Sequence, residues 1–123
     1  MSEERLFTVD EANAELDALR VLLPRIREAR RGLIAACDRF EHAVSTDGGG
    51  VAGSDWFTHQ QALKADVEEL AYRGIILRDP EIGLVDFPAD RGGERIFLCW
   101  RLGEDAVSHF HVERGGYSRR KPL

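Results

Sequence analysis

The spacing of apolar residues between Ala12 and Val44 constrains the fold more than any other feature of the sequence. These residues recur at alternating intervals of four and three, which is the heptad pattern of one face of an α-helix. The seam consists of Ala12, Leu16, Leu19, Leu23, Ile26, Leu33, Cys37, Phe40 and Val44, with Arg30 at the one charged position. Leu22 and Ile34 widen the seam, as is typical of a helix that packs within a globular protein. The sequence therefore predicts a long amphipathic helix.

The start of this helix and a weak point within it can also be predicted. Thr8 and Glu11 stand in a T-V-D-E capping box, in which each side chain accepts a hydrogen bond from the other residue's backbone N–H. Pro24 lies inside the seam and lacks the N–H that a helix interior uses. We therefore expect either a bend near Val21–Pro24 or two helices.

A second helix is predicted beyond a glycine-rich segment. The stretch STDGGGVAG predicts a flexible connection at about 45–54. Ser54 and Asp55 are suited to an N-cap, and Gly74 is suited to a C-cap, so a helix is expected from about Asp55 to Arg73. Its seam comprises Trp56, Leu63, Val67 and Leu70, with Gln60 at the polar position. The two helices would form an antiparallel hairpin at about 8–74.

From Ile75 onward the period changes to that of β-strands. The segments IILRD, LVDF (ended by Pro88), RIFLCWRL and VSHFHVE are predicted as strands, separated by the turns PEIG, ADRGGE and GEDA. In the third strand Phe97 and Cys99 point to the face opposite Trp100. The prediction is an α+β protein in one domain, 1–123. Its helical hairpin packs on a three- to four-stranded antiparallel meander at about 75–113, and a basic tail, 114–123, follows.

Composition argues against several classes of protein. The formal net charge is −5, so general attraction to nucleic acid or to an anionic membrane is not expected. The chain contains no apolar run of membrane-spanning length, and its acidic N-terminus lacks the order of a signal peptide. Its two cysteines, Cys37 and Cys99, do not form the pattern of a secreted disulfide framework. We therefore expect a cytoplasmic protein with reduced thiols.

Three stretches carry a resemblance to a known family: FTVDEANAEL, GLVDFPADRGGERIFLCWRLGED and the ending with the pattern H…GY…R.PL. From Phe7 to Leu123 the chain resembles the DUF2203 family of small uncharacterised bacterial proteins. The family often has Trp-His where this chain has Phe110-His111, and position 109 is commonly not histidine there. The resemblance says little about function, because the activity of the family is unknown. It directs attention to the polar residues of the shared motifs, which are Asp86, Cys99, Glu104, His111 and Arg120.

Asp86 is the most informative of these residues, because it lies among apolar neighbours in GLVDFP. A carboxylate in a strand buried on both sides is costly unless it is paired. Arg95, Arg101 or Arg120 could pair with it, and we favour such a structural ion pair. The alternative is a general base or a metal ligand with a perturbed pKa.

The remaining candidates each have a structural and a chemical interpretation. Cys99 with His111 would resemble a nucleophile and its base, although a buried inert cysteine is commoner. Glu104 follows Gly103 and is explained equally well by a turn. The basic ending around Tyr117 is typical of a solvated tail, but it could also bind a phosphate or an acidic partner.

A metal site is the alternative for the two histidines. His109 and His111 lie two apart in a strand and project from one face, so with Glu104 or Asp86 they could ligate a divalent metal. Two histidines on an edge strand with no metal are the simpler interpretation, because no H-E-x-x-H or Cys-x-x-Cys motif is present.

Two functions remain. The favoured one is a cytoplasmic ligand- or partner-binding protein without catalytic activity, whose cluster binds a small anionic ligand. The cluster consists of Asp86, Glu104, His111 and Arg120. The alternative is a small metal-dependent hydrolase-like enzyme using His111 with carboxylates to activate water. In either case we expect a homodimer through the helical hairpin, because Arg30 in the seam would find an acidic partner more easily at such a contact.

Overall fold

A computed structural model describes residues 4–46, 50–114 and 116–123, and in these residues helices precede an antiparallel sheet. The helices are α1 (Val9–Ala14), α2 (Leu16–Thr46) and α3 (Gly50–Tyr72). The strands are β1 (Ile76–Asp79), β2 (Leu84–Arg91), β3 (Glu94–Arg101), β4 (His109–Val112) and β5 (Lys121–Pro122), with a 3-10 turn at Tyr117–Arg119 before β5. The predicted α+β class, with helices followed by a meander, is confirmed. No helix in the described part of the chain is long and apolar enough to cross a membrane.

The two long helices pack side by side and run in opposite directions. Arg25 of α2 donates hydrogen bonds to both carboxylate oxygens of Asp66 in α3, from Nε at 3.1 Å and from Nη2 at 2.7 Å. Further along α2, Gly32 lies against the ring of His59, which precedes Asp66 in α3. A later position in α2 therefore meets an earlier one in α3, which is the predicted antiparallel hairpin. Arg30 is also satisfied within the chain, because its Nη1 lies 3.3 Å from a carboxylate oxygen of Glu81.

The helix break falls at Glu15 rather than near Pro24. The predicted capping box is present: the Thr8 hydroxyl accepts from the Glu11 N–H at 3.1 Å, and the Glu11 carboxylate accepts from the Thr8 N–H at 2.9 Å. Helix α2 then continues through Pro24. The missing hydrogen bond and ring clash cost about 3 kcal/mol. Burial of the neighbouring Leu22, Leu23 and Ile26, at about 2 kcal/mol each, outweighs that cost.

The glycine-rich connection is shorter than predicted. Helix α2 extends to Thr46 and α3 begins at Gly50, so most of the predicted connection at 45–54 is helical. The predicted N-cap at Ser54 and Asp55 is wrong, because both residues lie inside α3. Intrinsic helix propensity is a weak prior, and packing of α3 along α2 overrides the cost of glycine in its first turns. Residues 47–49 of the predicted connection lie outside the described residues.

The sheet is a meander in which each strand pairs antiparallel with the next, in the order β1-β2-β3-β4-β5. Strand β2 does not end at Pro88, as predicted, but continues to Arg91. The Pro88 carbonyl accepts a hydrogen bond from the Phe7 N–H at 2.7 Å. Because the C=O and N–H positions of one strand residue face the same side, the N–H that Pro88 lacks would also face away from β3. Its absence therefore costs no bond to β3.

Both faces of the sheet are covered. The face toward the helices carries the main core, with Trp100, Phe87, Leu98 and Val85 among its fully buried side chains. The opposite face carries Leu84, Asp86, Pro88, Phe97, Cys99 and His111, all of them buried. The predicted solvated tail supplies part of this second cover. Its residues form the 3-10 turn and β5, and β5 pairs with β4 to give five strands rather than three to four.

Candidate functional site

The buried centre of the second sheet face is an acid–base pair. Asp86 is 1% exposed and His111 is 3% exposed. Nε2 of His111 lies 2.9 Å from Oδ2 of Asp86, although β3 separates their strands. His111 stacks on Phe97, its cross-strand partner in β3, with ring centroids 5.4 Å apart. The flat ring of Phe97 thus supports the imidazole as it reaches across β3 toward Asp86.

Asp86 forms the predicted ion pair, but with a different arginine. Nε of Arg78 donates to the same Oδ2 oxygen at 2.7 Å. Arg78 lies two residues beyond Ile76, which is the partner of Asp86 in the register of β1 and β2. The candidates Arg95, Arg101 and Arg120 are therefore not the ion-pair partner. Alternation within IILRD is the signal that could have placed Arg78 on the face of Asp86.

Both nitrogens of the His111 ring are used within the protein. Nδ1 lies 3.2 Å from the Gly116 N–H nitrogen and 2.7 Å from the Val112 carbonyl oxygen. With Nε2–H donating to Asp86, a neutral ring accepts at Nδ1 from Gly116, whereas an imidazolium donates from Nδ1 to Val112. The ring therefore joins β2 either to Gly116, after β4, or to Val112, the last residue of β4, according to its protonation state.

One oxygen of Asp86 has no such partner. Oδ1 is buried and accepts no hydrogen bond from any of the residues that the structure describes. A buried polar atom without a partner is uncommon, because its lost hydration is not replaced. Asp86 forms part of the wall of a cavity of about 320 Å³. The cavity is lined by Arg78, Leu84, Asp86, His111, Glu113, Arg114, Gly116 and Tyr117.

A second charged pair lies on the same side of the sheet. Nη1 of Arg120 lies 2.9 Å from Oε1 of Glu104, and the Arg101 N–H donates to the same oxygen at 2.7 Å. Burial alone would raise the pKa of Glu104, but the hydrogen bonds from Arg120 and from the Arg101 N–H outweigh it and lower the pKa. The bond to Glu104 in turn raises the pKa of Arg120. Glu104 closes the turn after β3 and anchors the tail there.

Cys99 lies between the two charged pairs. It is the cross-strand partner of Asp86 on one side and of His109 on the other. Burial raises the pKa of its thiol to about 11 and the Asp86 carboxylate adds to the rise, while a hydrogen bond with Arg120 opposes it. The thiol is therefore protonated at neutral pH and is a poor nucleophile.

The five residues singled out by the sequence thus form two pairs on one sheet face, with Cys99 between them. Asp86 meets His111, and Glu104 meets Arg120. In the described part of the chain no hydrogen bond joins one pair to the other. His109 contacts the Ser108 hydroxyl at 3.0 Å through Nδ1. The cavity residues Arg78, Glu113, Arg114 and Tyr117 were not singled out as site residues, although Arg114 and Tyr117 belong to the basic ending.

The predicted metal site would require His109, His111 and a carboxylate to converge. Within residues 4–46, 50–114 and 116–123, no group of three or more histidine, cysteine, aspartate and glutamate side chains is placed to hold a metal ion. Nε2 of His111 is directed at Asp86 and His109 contacts Ser108. The metal site with His109, His111 and Glu104 stays a prediction that a binding measurement can test.

Comparison with known proteins agrees with the motifs. No curated protein and no solved structure matches the chain. Residues 5–123 match the family described as uncharacterised conserved protein DUF2203. The match includes every strand, the Asp86–His111 pair and the tail that covers it. The chain therefore belongs to the DUF2203 family.

Proposed function

We propose that this protein binds a small anionic ligand in the cavity beside Asp86 and His111, and that it does so without catalysing a reaction. The observation that carries the proposal is the combination of a buried carboxylate, a fixed guanidinium and an open space of about 320 Å³ at one place on the sheet. That volume lies at the lower end of the range for small-molecule sites. It suits a metabolite of a few heavy atoms rather than a peptide.

The two arginines of the cavity support an anionic ligand. Arg78 binds Asp86 through Nε, which holds its planar guanidinium in place, and its side chain is still 43% exposed. Its terminal nitrogens make no hydrogen bond to the described residues and are available to a carboxylate or phosphate group. Arg114 is exposed and lines the same cavity. A guanidinium can hold either kind of group through two parallel hydrogen bonds.

The state of the two reactive side chains supports binding rather than catalysis. A general base needs a free nitrogen within reach of a substrate proton, whereas Nε2 of His111 is occupied by Asp86 and Nδ1 by the backbone of Val112 and Gly116. The thiol of Cys99, with its pKa of about 11, is not a nucleophile at neutral pH. The hydrolase-like alternative is tested by elemental analysis of protein purified without a histidine tag. Stoichiometric metal that is lost in His111→Ala would favour it.

The binding proposal is tested by NMR titration of the full chain with acetate, propanoate, L-lactate, L-alanine and inorganic phosphate. At least one of these compounds is expected to shift the backbone amide signals of Gly116 and Tyr117. Replacement Arg114→Gln is expected to weaken that binding about tenfold, since a hydrogen bond to a charged group contributes about 1.5 kcal/mol or more. Arg119→Gln is the matched control, because Arg119 is exposed and does not line the cavity.

Two results would contradict the proposal. The first is that none of the five compounds shifts these amide signals at any concentration tested. The second is that Arg114→Gln and Arg119→Gln weaken binding equally, which would indicate general attraction to a basic tail rather than a site in the cavity.

A further inference from the structure

The unpartnered oxygen of Asp86 indicates which second group a ligand with a carboxylate or phosphate must carry. Oδ2 receives both hydrogen bonds that Asp86 makes, from Arg78 and from His111, while Oδ1 receives none from the described residues. Asp86 is 1% exposed, so Oδ1 is largely removed from bulk solvent. A carboxylate oxygen only accepts hydrogen bonds. Asp86 lines the cavity, so a ligand group that packs against Oδ1 is stabilised there when it donates a hydrogen bond.

The donor and the anionic group must be close together on the ligand. Oδ1 and Oδ2 belong to one carboxylate, and Nε of Arg78 lies 2.7 Å from Oδ2. The terminal nitrogens of the same guanidinium are attached to the same carbon as Nε. Oδ1 of Asp86, which would accept from the ligand's donor, consequently lies close to the terminal nitrogens of Arg78, which would bind its anionic group. This arrangement matches a donor on the carbon atom next to a carboxylate.

The charges around the cavity decide between a neutral and a cationic donor. Its lining contains two arginines, Arg78 and Arg114, and two carboxylates, Asp86 and Glu113. Glu113 forms an ion pair with Arg95, whose Nη1 lies 3.1 Å from Oε1 of Glu113. A dianion such as phosphate would gain from the arginines but would be repelled by the Asp86 carboxylate. A ligand with one positive and one negative group complements both signs.

We propose that the ligand is a small zwitterionic α-amino acid, with its carboxylate on Arg78 and its ammonium group on Oδ1 of Asp86. This inference rests on the proposed function and names the class of ligand at the same site. Leu84 and Tyr117 also line the cavity and supply apolar surface for a short, apolar side chain of the ligand. His111 positions Asp86 by holding Oδ2, so that Oδ1 is the oxygen left for the ammonium group.

A matched series of probes tests the inference on the full chain. L-Alanine has both charged groups, propanoate lacks the ammonium group, L-lactate replaces it with a hydroxyl, and ethylamine lacks the carboxylate. In the NMR titration L-alanine is expected to bind at least tenfold more tightly than each of the other three. Asp86→Asn is expected to reduce the ratio between L-alanine and propanoate to about one, because the amide keeps the shape of the side chain and loses the charge. Asp90→Asn is the control variant and is expected to preserve the ratio, since Asp90 is an exposed carboxylate of the same strand and lies outside the cavity lining.

The outcomes separate this inference from the proposed function. If propanoate or L-lactate binds as tightly as L-alanine at Gly116, the inference is overturned while the binding of a small anion stands. If no compound of the series binds, both are overturned. Because Asp86 is buried in a charged pair, the amide spectrum of Asp86→Asn is recorded first to establish that this variant is folded; if it is unfolded, Glu113→Gln takes its place. That variant is expected to lower the ratio at least twofold, and an unchanged ratio in it overturns the inference.

Discussion

The thiol of Cys99 illustrates how burial controls a single residue on the second sheet face. Cys99 is 1% exposed, and burial, with a smaller contribution from the Asp86 carboxylate, raises the pKa of its thiol from 9.0 to about 11. A thiol whose pKa is higher in the folded state contributes stability that is fully present below pH 9. That stability is lost as the pH rises toward 11, because the folded state resists ionisation while the unfolded chain ionises.

We therefore expect the free energy of unfolding of the wild type, relative to Cys99→Ala, to fall by about 2 kcal/mol between pH 9 and pH 11. Urea denaturation of both proteins at several pH values measures the difference, and subtraction cancels the titration of other groups. Cys37→Ala, at a half-buried thiol of α2, is the control. A difference between the wild type and Cys99→Ala that stays constant across this pH range would contradict the prediction.

Single residues also indicate how far the site could be predicted. The apolar surroundings of Asp86 in the sequence predicted a buried carboxylate that needs a partner, and the alternation of β3 correctly placed Cys99 on the face opposite Trp100. The partners themselves depend on the register of strands. His111 reaches Asp86 diagonally across β3, and Arg78 belongs to the strand on the other side of β2. Neither the contact with His111 nor the one with Arg78 can be predicted until the strand order and register are known.

At the scale of elements, the end of α3 was predicted because its chemistry is local. The Gly74 N–H bonds to the Ala71 carbonyl and the Ile75 N–H to the Leu70 carbonyl, each at 3.0 Å, which forms a Schellman motif. Gly74 has φ of 81°, and Leu70 and Ile75 are both buried. The prolines were misjudged for the opposite reason. The cost of Pro24 and Pro88 depends on the burial of neighbouring residues and on which side of a strand the absent N–H faces.

The C-cap of α3 yields a prediction with an internal control. Gly92, in the turn between β2 and β3, also has positive φ, at 62°, but a Cβ there would meet no atom within 4 Å. A Cβ at Gly74 would lie 3.0 Å from Cβ of Arg5. We expect Gly92→Ala to cost about 1 kcal/mol from backbone strain alone and Gly74→Ala about 2 kcal/mol, from strain plus contact. Thermal and urea unfolding measure both costs. Equal losses would show that the segment before α1 moves aside without penalty.

At the scale of the whole molecule, the sheet is enclosed from two sides by different parts of the chain. The helices cover one face with apolar side chains, as the sequence predicted. The other face is covered by the tail and by cationic side chains that pack on rings. Guanidinium carbons of Arg78 and Arg95 lie 5.1 and 4.6 Å from the Phe97 centroid, and that of Arg120 lies 4.5 Å from the centroid of Tyr117. In the sequence, the cations of the ending are typical of a solvated tail. Their stacking and ion pairing could not be predicted, because these contacts depend on the folded sheet.

The homodimer through the helical hairpin stays a prediction, and the structure changes the reason for it. Arg30 has an acidic partner, Glu81, in its own chain, so an unsatisfied charge no longer argues for a second copy. The exposure of apolar side chains on the helices still argues for a second copy. Ile34 and Val67 are 49% and 38% exposed. They border a cavity of about 380 Å³ between α2, α3 and the start of the β1–β2 turn. Pairing of this surface with its copy would remove both side chains from water.

We expect light scattering coupled to gel filtration to find twice the chain mass of 13.8 kDa. Replacement Ile34→Lys is expected to convert the protein to the mass of one chain, because a charge in the paired surface would lose its hydration without gaining a partner. Tyr72→Lys is the control, since Tyr72 is 88% exposed at the end of α3 and lies outside the cavity lining. A wild-type mass of one chain would contradict the dimer. A dimer that Ile34→Lys leaves intact would place the contact elsewhere, with the edge of the sheet at β1 as the next surface to test.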